Sequence, residues 1–214
     1  MNDRYPILHG QFHWQVPEWF NIAEACSRRW AQQTPQAVAI IQETEAAFEQ
    51  GPVAQCTYGT LQARANQLSH ALKALGVKRG DRVAVVMPQR IETAVAHIAL
   101  YQMGAVAMPL SMLFGPEALE YRLQDSEAVA AIADESSIDS ILQVRAQCPV
   151  LRVVVAVGAA QGRAQKAVID WDPTLQAQSE RYTAVKTKAD EAAVLIYTSG
   201  TTGPPKGALI PHRA

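Results

Sequence analysis

A glycine- and hydroxyl-rich loop near the end of the sequence constrains this chain most strongly. Residues 197–207 are Tyr-Thr-Ser-Gly-Thr-Thr-Gly-Pro-Pro-Lys-Gly, and they follow an apolar run, 192–197, that is typical of a buried strand. Glycine allows backbone N–H groups to turn toward a ligand and approach it closely. The hydroxyl side chains add hydrogen-bond donors with little bulk, and Lys206 adds a mobile positive charge. A strand that opens into such a loop predicts a binding site for a polyphosphate.

The loop differs from the nearest phosphate-binding template, the Walker A sequence G-x-x-x-x-G-K-[ST]. Counted from Gly200, Pro205 stands where the second glycine belongs, and Gly207 replaces the hydroxyl residue that holds Mg²⁺. The alternative interpretation is a surface turn, since a glycine- and threonine-rich composition is common in turns.

The complete stretch resembles the phosphate-loop signature of the adenylate-forming enzymes. This superfamily contains acyl-CoA synthetases, adenylation domains of nonribosomal peptide synthetases and firefly-type luciferases. The opening of these enzymes is similar to this sequence at Thr57-Tyr58 with Leu61, at Gly76-Val77 and at Gly80-Asp81-Arg82-Val83. Leu-Phe-Gly-Pro-Glu-Ala-Leu at 113–119 is most similar to acyl-CoA synthetases of short or medium carboxylic acids. Tyr-Arg-Leu at 121–123 and Asp-Ser at 125–126 extend that similarity, so the resemblance covers roughly residues 20–212.

The resemblance implies adenylate formation with ATP, Mg²⁺ and CoA. In this reaction a carboxylate attacks the α-phosphorus of ATP, and donors aimed at the β- and γ-phosphates stabilise the departing pyrophosphate. Catalytic residues and metal ligands are not assigned in this chain. The resemblance assigns the phosphate ligands to Thr198, Ser199, Gly200, Thr201, Thr202, Gly203 and Lys206.

The resemblance also places several motifs beyond Ala214. These are the acidic motif for Mg²⁺, the adenine segment, the ribose-binding aspartate, the hinge and a C-terminal lysine that promotes adenylation. We therefore expect the N-terminal part of an acid:CoA ligase, inactive by itself. Two alternatives stay open: an adenylation domain that loads a carrier protein, and a non-catalytic nucleotide-binding or assembly fragment. The acid cannot be read from the sequence.

Apolar runs and helix-period stripes alternate through the middle of the chain. This alternation is typical of βαβ units on a parallel sheet. We predict an α/β fold, a parallel-rich sheet flanked by helices that forms the first part of the large N-terminal domain of adenylate-forming enzymes. Predicted strands cover 38–41, 53–56, 83–87, 105–110, 129–133, 151–157 and 192–197. Predicted helices cover 57–76 and 138–147, and others begin near 21, 91 and 116.

We interpret residues 1–214 as one partial AMP-binding domain with four parts. They are an N-terminal arm (1–19), an α/β body (20–157), a connector (158–189), and the strand with the phosphate loop (190–214).

Single residues support more detailed expectations. Asn21 and Glu24 have capping-box spacing and open a helix whose predicted buried face is Ile22, Cys26 and Trp30. We expect Trp171 to hold the connector against the body. His212 is open to a packing role or a site role.

Composition and charge exclude several function classes. The chain has 214 residues and a net charge of −1, which gives no field toward nucleic acid or anionic lipid. An odd number of cysteines without C-x-x-C spacing indicates reduced thiols and a cytoplasmic protein. The His9/His13 pair lacks a third ligand nearby, so no metal site is predicted there. No segment is typical of a leader or a membrane span, and an uncovered sheet edge makes self-association possible.

Overall fold

The computed structural model describes residues 4–43, 53–162, 168–198 and 203–214. The α-helices in this part of the chain are α1 (Tyr5–Gln11), α2 (Arg29–Gln33), α3 (Tyr58–Ala74), α4 (Ile91–Met103), α5 (Pro116–Asp125), α6 (Ile138–Val144) and α7 (Trp171–Gln176). The strands are β1 (Val38–Gln42), β2 (Ala54–Thr57), β3 (Arg82–Val86), β4 (Val106–Pro109), β5 (Ala130–Ala133), β6 (Val153–Ala156), β7 (Val168–Asp170), β8 (Ala192–Thr198) and β9 (Lys206–Pro211).

Among the described residues, seven strands form one sheet in the order β7-β6-β5-β3-β4-β8-β9. The first six are parallel, and β9 runs antiparallel to β8 at the edge. The stretch β4-β3-β5-β6-β7 has the relative order of a flavodoxin-like doubly wound sheet. Strands β1 and β2 form a separate antiparallel pair. The predicted α/β fold with a parallel-rich sheet is confirmed.

Helices cover both faces of the sheet, which explains why its strands are continuous apolar runs. Side chains on β3 alternate between the faces, with Val83 and Val85 in one core and Ala84 and Val86 in the other. Helices α3, α4 and α7 pack in the first core, where Trp171 is 1% exposed, so the expectation for this residue is confirmed. Helices α5 and α6 pack in the second core.

Helix α3 matches its predicted bounds because both of its ends carry local signals. The Thr57 side chain accepts a hydrogen bond from the Thr60 amide at 3.2 Å, which satisfies one of the free N–H groups of the first turn. Gly76 lies just beyond the helix with φ of +84°, a left-handed conformation that glycine adopts without strain.

The buried face predicted for the helix that begins near residue 21 is wrong. Cys26 is exposed and Trp30 is 36% exposed, whereas Ala23 and Ser27 are buried. The chain forms a π-helical turn over Glu24–Arg28, in which the hydrogen bonds span five residues instead of four. The buried residues Ala23 and Ser27 are still four positions apart, so the buried face is shifted by one residue from the predicted face.

The capping box at the start of this segment forms only in part. The Asn21 carboxamide oxygen accepts from the Ala23 amide at 2.9 Å. The Glu24 carboxylate pairs with Arg28, 3.2 Å away. The Asn21 amide group donates to the Tyr101 carbonyl at 2.8 Å, so this residue also ties the segment to the body.

Four elements were not predicted. The connector contains β7, which pairs in parallel with β6, and α7 follows it directly. The N-terminal arm contains α1, and β9 follows the phosphate loop. Strand β7 has only three residues, and the arm and the connector lack a long periodic pattern.

Candidate phosphate-binding site

The predicted phosphate loop connects β8 to β9. Thr198, the last residue of β8, is paired with Lys206, the first residue of β9. Because β8 is parallel to β4, the loop lies at the edge where the parallel strands reach their carboxyl ends. Ligands of open α/β sheets bind outside this edge. The hairpin therefore brings two of the predicted phosphate ligands together at the expected end of the sheet.

Three predicted ligands lie among the described residues. Thr198, Gly203 and Lys206 are exposed. Gly203 has φ of +91°, and a Cβ built on it would meet nothing within 4 Å, so backbone conformation explains glycine here. No ion pair links Lys206 to any other described residue, which leaves its ammonium group available to an anion. The other four, Ser199, Gly200, Thr201 and Thr202, lie outside the described residues.

Packing at the base of the hairpin favours glycine at Gly207. A Cβ on this residue would lie 2.9 Å from Leu195 Cδ1 and 3.4 Å from Tyr197 Cζ. The side chains of β8 lean across β9 at this point. This contact explains why glycine occupies the position that holds a Mg²⁺-binding hydroxyl in the Walker A loop.

Helix α5 contacts the chain on both sides of the phosphate loop. The Tyr121 hydroxyl donates to the Pro205 carbonyl at 3.0 Å. The Tyr197 hydroxyl donates to Asp125 Oδ2 at 2.5 Å. Burial and the Asp125 carboxylate raise the pKa of Tyr197, so its hydroxyl stays protonated and able to donate. In the sequence, Tyr121 and Asp125 stand out only as part of the family resemblance.

Arg122 lies between these two hydrogen bonds on the same helix. Its guanidinium carbon is 4.1 Å from the centre of the Phe114 ring and 5.6 Å from that of Tyr197. The residue is 8% exposed, and Nη1 donates to the Ala118 carbonyl at 2.7 Å. Aromatic faces attract a desolvated guanidinium. Arg122 therefore supports the Tyr197 ring from the helix side.

His212 follows β9 and is 2% exposed. Its Nδ1 accepts from the Ile22 amide at 3.3 Å, and its ring meets that of Tyr101 at 6.2 Å between centroids. Burial lowers the pKa of His212, and the Glu191 carboxylate opposes this shift. These contacts join the N-terminal segment to β9 and favour the packing role.

Ion pairs fill the crevice between the carboxyl ends of β3 and β5, where the direction of winding changes. Arg90 Nη1 is 3.1 Å from Asp134 Oδ2, and Arg90 Nε is 2.8 Å from Glu92 Oε2. Asp134 is 1% exposed and also accepts from the Ser136 amide at 3.0 Å. The buried Asp134 carboxylate is paired with Arg90 and hydrogen-bonded to Ser136. These contacts offset the free-energy cost of burying its charge.

An open cleft of about 750 Å³ lies beside this network, with Met87, Pro88, His97, Pro109 and Met112 among its walls. Mostly apolar walls with a few polar groups are typical of small-molecule sites. Desolvation by the surrounding protein lowers the pKa of His97, and its Nδ1 lies 2.9 Å from the Tyr101 hydroxyl. Burial raises the pKa of Tyr101 to about 12, so the hydroxyl can donate to a neutral imidazole.

Within the described ranges there is no group of three or more His, Cys, Asp or Glu side chains that could hold a metal ion. None of the helices in these ranges combines the length and the apolar character that crossing a bilayer requires.

Comparison with known proteins decides the family. The profile of the AMP-binding enzyme family matches residues 27–214, most of the chain. The chain belongs to this family. An acetyl-coenzyme A synthetase of Nostoc linckia is 34% identical over 212 residues, which are 90% of this chain and 61% of the relative. One of the proteins that make up the linear gramicidin synthase of Brevibacillus parabrevis is 32% identical over 86% of this chain and 3% of its own length.

Two solved structures share the fold. An acyl-CoA synthetase of Brucella canis superposes with a TM-score of 0.84 at 24% identity, over 99% of this chain and 38% of its own. The anthranilate CoA ligase AuaEII, in complex with anthranoyl-AMP, gives a TM-score of 0.79 at 24% identity, over 92% of this chain and 36% of its own. The chain thus spans less than two thirds of the length of these relatives.

Proposed function

We propose that this chain is the N-terminal part of an ATP-dependent acid:CoA ligase and supplies its pyrophosphate-binding loop. The observation that carries the proposal is the hairpin at the carboxyl edge of the sheet, where Thr198 and Lys206 face each other across β8 and β9. Membership of the AMP-binding family gives the hairpin its expected ligand, the phosphates of ATP. Similarity to acetyl-coenzyme A synthetases supports CoA as the acceptor.

The loop residues would act on the leaving group. A carboxylate oxygen of the substrate forms a bond to the α-phosphorus, the bond between the α-phosphorus and the bridging oxygen breaks, and pyrophosphate leaves with the electron pair. Negative charge then increases on the β- and γ-phosphates, where the Thr198 hydroxyl, the Gly203 amide and the Lys206 ammonium group can stabilise it. In the second half-reaction the CoA thiol attacks the acyl carbon, AMP leaves, and the thiol proton passes to a base.

Mg²⁺ is implied by the resemblance, but the described residues offer no acidic cluster for it. We assign no step of this chain to the metal. The substrate is proposed as a short- or medium-chain carboxylic acid, as in fatty acid metabolism, on the similarity of residues 113–126 to such synthetases. The cytoplasmic location stays a prediction.

A second candidate function is an adenylation domain that loads a carrier protein. The similarity to the gramicidin synthase protein specifically favours it. Adenylate formation is common to both candidates, and only the acceptor differs. The non-catalytic interpretation, a nucleotide-binding or assembly fragment, predicts no adenylate at all.

The decisive experiment measures acid-dependent exchange of pyrophosphate into ATP. We expect no exchange from the chain alone. We expect exchange from a longer product that contains this chain and has the length of its relatives. Lys206→Ala in the longer product should lower exchange about 10²-fold or more. Lys78→Ala, at an exposed lysine outside the loop, is the matched control and should leave the rate unchanged.

Thr201→Val and Thr202→Val test the loop hydroxyls in the same assay, since valine keeps the shape of threonine and lacks its hydroxyl. A thioester formed with free CoA would identify the ligase, and product found only on a carrier protein would support the second candidate. Full exchange by the Lys206→Ala variant would contradict the proposed role of the loop.

A further inference from the structure

We propose that Tyr121 and Asp125 are positioning residues that hold the two ends of the phosphate loop on helix α5. They form what we call the α5 clamp, the hydrogen bond from Tyr121 to Pro205 and the hydrogen bond from Tyr197 to Asp125. Its relevance to catalysis rests on the proposed function. Its effect on the two ends of the loop, Tyr197 and Pro205, does not.

The geometry of α5 makes one helix face serve both ends of the loop. Residues four apart lie on the same face of a helix, about one turn from each other. Tyr121 thus reaches the strand that leaves the loop, and Asp125 reaches the strand that enters it. The two tyrosine rings also meet edge to face, with 6.4 Å between their centroids. These contacts therefore involve both sides of the hairpin, as does the pairing of Thr198 with Lys206.

The hairpin needs this support because of its position in the sheet. Strand β9 is the edge strand of the described sheet, and β8 is its sole neighbour there. Residues 206–209 are exposed, so little apolar burial holds β9 in place. The bond from Tyr121 to the Pro205 carbonyl is therefore a link from the start of β9 to a helix that packs in the core through Leu119 and Leu123.

The two bonds are expected to differ in strength. Tyr121 donates to a neutral carbonyl, whereas Tyr197 donates to a carboxylate at the shorter distance of 2.5 Å. Hydrogen bonds to an ionised acceptor are about twice as strong as neutral ones. Arg122 adds a cation–π contact to the Tyr197 ring, with 5.6 Å between the guanidinium carbon and the ring centroid. Fixing the donors before the substrate arrives is what electrostatic stabilisation of a leaving group requires.

Hydrogen–deuterium exchange of the 214-residue chain without ligand tests the clamp directly. In Tyr121→Phe, we expect peptides spanning residues 197–207 to exchange about fivefold faster, the factor expected for one neutral hydrogen bond. In Asp125→Ala the increase should reach about tenfold or more. Asp125→Asn keeps an acceptor oxygen for Tyr197 and should restore most of the protection.

Tyr101→Phe is the matched control. It also removes one tyrosine hydroxyl and its 2.9 Å hydrogen bond, but on α4 and in the other core. The loop peptides should exchange in this variant as in the wild type. Loop exchange at the wild-type rate in both Tyr121→Phe and Asp125→Ala would overturn the clamp. Equal acceleration of all peptides, including those of α4, would also overturn it because the change would then be global.

A second measurement separates the clamp from the proposed function. In the longer adenylating product, Tyr121→Phe and Asp125→Ala should raise the KM for MgATP several-fold and leave the KM for the acid unchanged, with rescue by Asp125→Asn. If loop exchange accelerates as expected while even Lys206→Ala leaves the KM and the rate with MgATP unchanged, the clamp stands and the phosphate-binding function fails. If Lys206→Ala abolishes turnover while the clamp variants leave the KM for MgATP unchanged, the catalytic part of this inference is overturned.

Discussion

At the scale of single residues, the candidate site shows which part of it a sequence can reveal. Thr198, Gly203 and Lys206 stand in one contiguous motif, so their proximity in one loop was predictable, whereas strand β9, which pairs Lys206 with Thr198, was not predicted. Tyr121 and Asp125 lie 84 and 72 residues from the loop residues that they contact. No local pattern reports such a pairing, because it depends on how α5 lies across β8.

The pair His97 and Tyr101 gives a pH-dependent prediction at this scale. Desolvation lowers the pKa of His97 in the folded protein below its ordinary value of 6.5. The unfolded chain therefore binds the proton more readily, and the stability due to neutral His97 is complete above pH 6.5 and is lost as the pH falls below it. Burial also lowers the pKa of His212, so its effect on stability has the same sign.

We expect the free energy of unfolding to fall between about pH 7.5 and pH 5, with a slope of at most about 1.4 kcal/mol per pH unit for each histidine. Urea unfolding across this range measures it. In His97→Gln the slope should be smaller. A slope identical to that of the wild type would show that His97 titrates alike in both states.

At the scale of elements, helix ends and long apolar strands were the predictable features. Strands β5 and β6 were predictable because each is a continuous apolar run, and α3 because Thr57 and Gly76 mark its ends. The π-helical turn at Glu24–Arg28 was not predictable, since nothing in its composition distinguishes it from an α-helix. Here tertiary contacts, including those of Asn21 with the body, override the periodic pattern.

Gly104, at the end of α4, allows the cost of overpacking to be separated from the cost of backbone strain. Gly104 and Gly76 both have positive φ, +68° and +84°. Around Gly76 a Cβ would meet nothing within 4 Å, whereas at Gly104 it would lie 2.9 Å from Val185 Cγ2. Gly76→Ala should cost about 1–2 kcal/mol from strain alone. Gly104→Ala should cost a further 1–3 kcal/mol, roughly, from overpacking.

Denaturant unfolding of the two variants, compared with the wild type, measures the difference. Equal losses of stability would mean that Val185 moves aside at no cost and that only the backbone conformation selects glycine at Gly104.

At the scale of the whole molecule, apolar surface lies beside the phosphate hairpin. Leu209 is 61% exposed on β9, and a groove of about 480 Å³ runs between it and the strand ends near Gly80 and Val106. Leu113 is 87% exposed. Trp14 on the N-terminal arm is 83% exposed. Open strand edges of this kind pair with other chains.

We therefore expect the 214-residue chain to self-associate as its concentration rises. Leu209→Lys places a charge on the edge strand and should weaken association about tenfold or more, since charged edge residues oppose pairing. Sedimentation velocity over a series of concentrations is the measurement. A wild-type monomer at every concentration, or unchanged association in Leu209→Lys, would contradict the role of this edge.

The contacts between the N-terminal segment and the connector also order the steps of folding. The Thr187 hydroxyl donates to the Phe20 carbonyl at 2.7 Å, across 167 positions of sequence. Closing so long a loop costs conformational entropy that local contacts do not offset. Pairings of this sequence separation therefore form slowly. During synthesis, residues 20 and 21 lack these partners until the ribosome has released residue 187. These contacts can therefore form only after residue 187 has been synthesised, whereas the hydrogen bonds within α3 need only the residues of that helix.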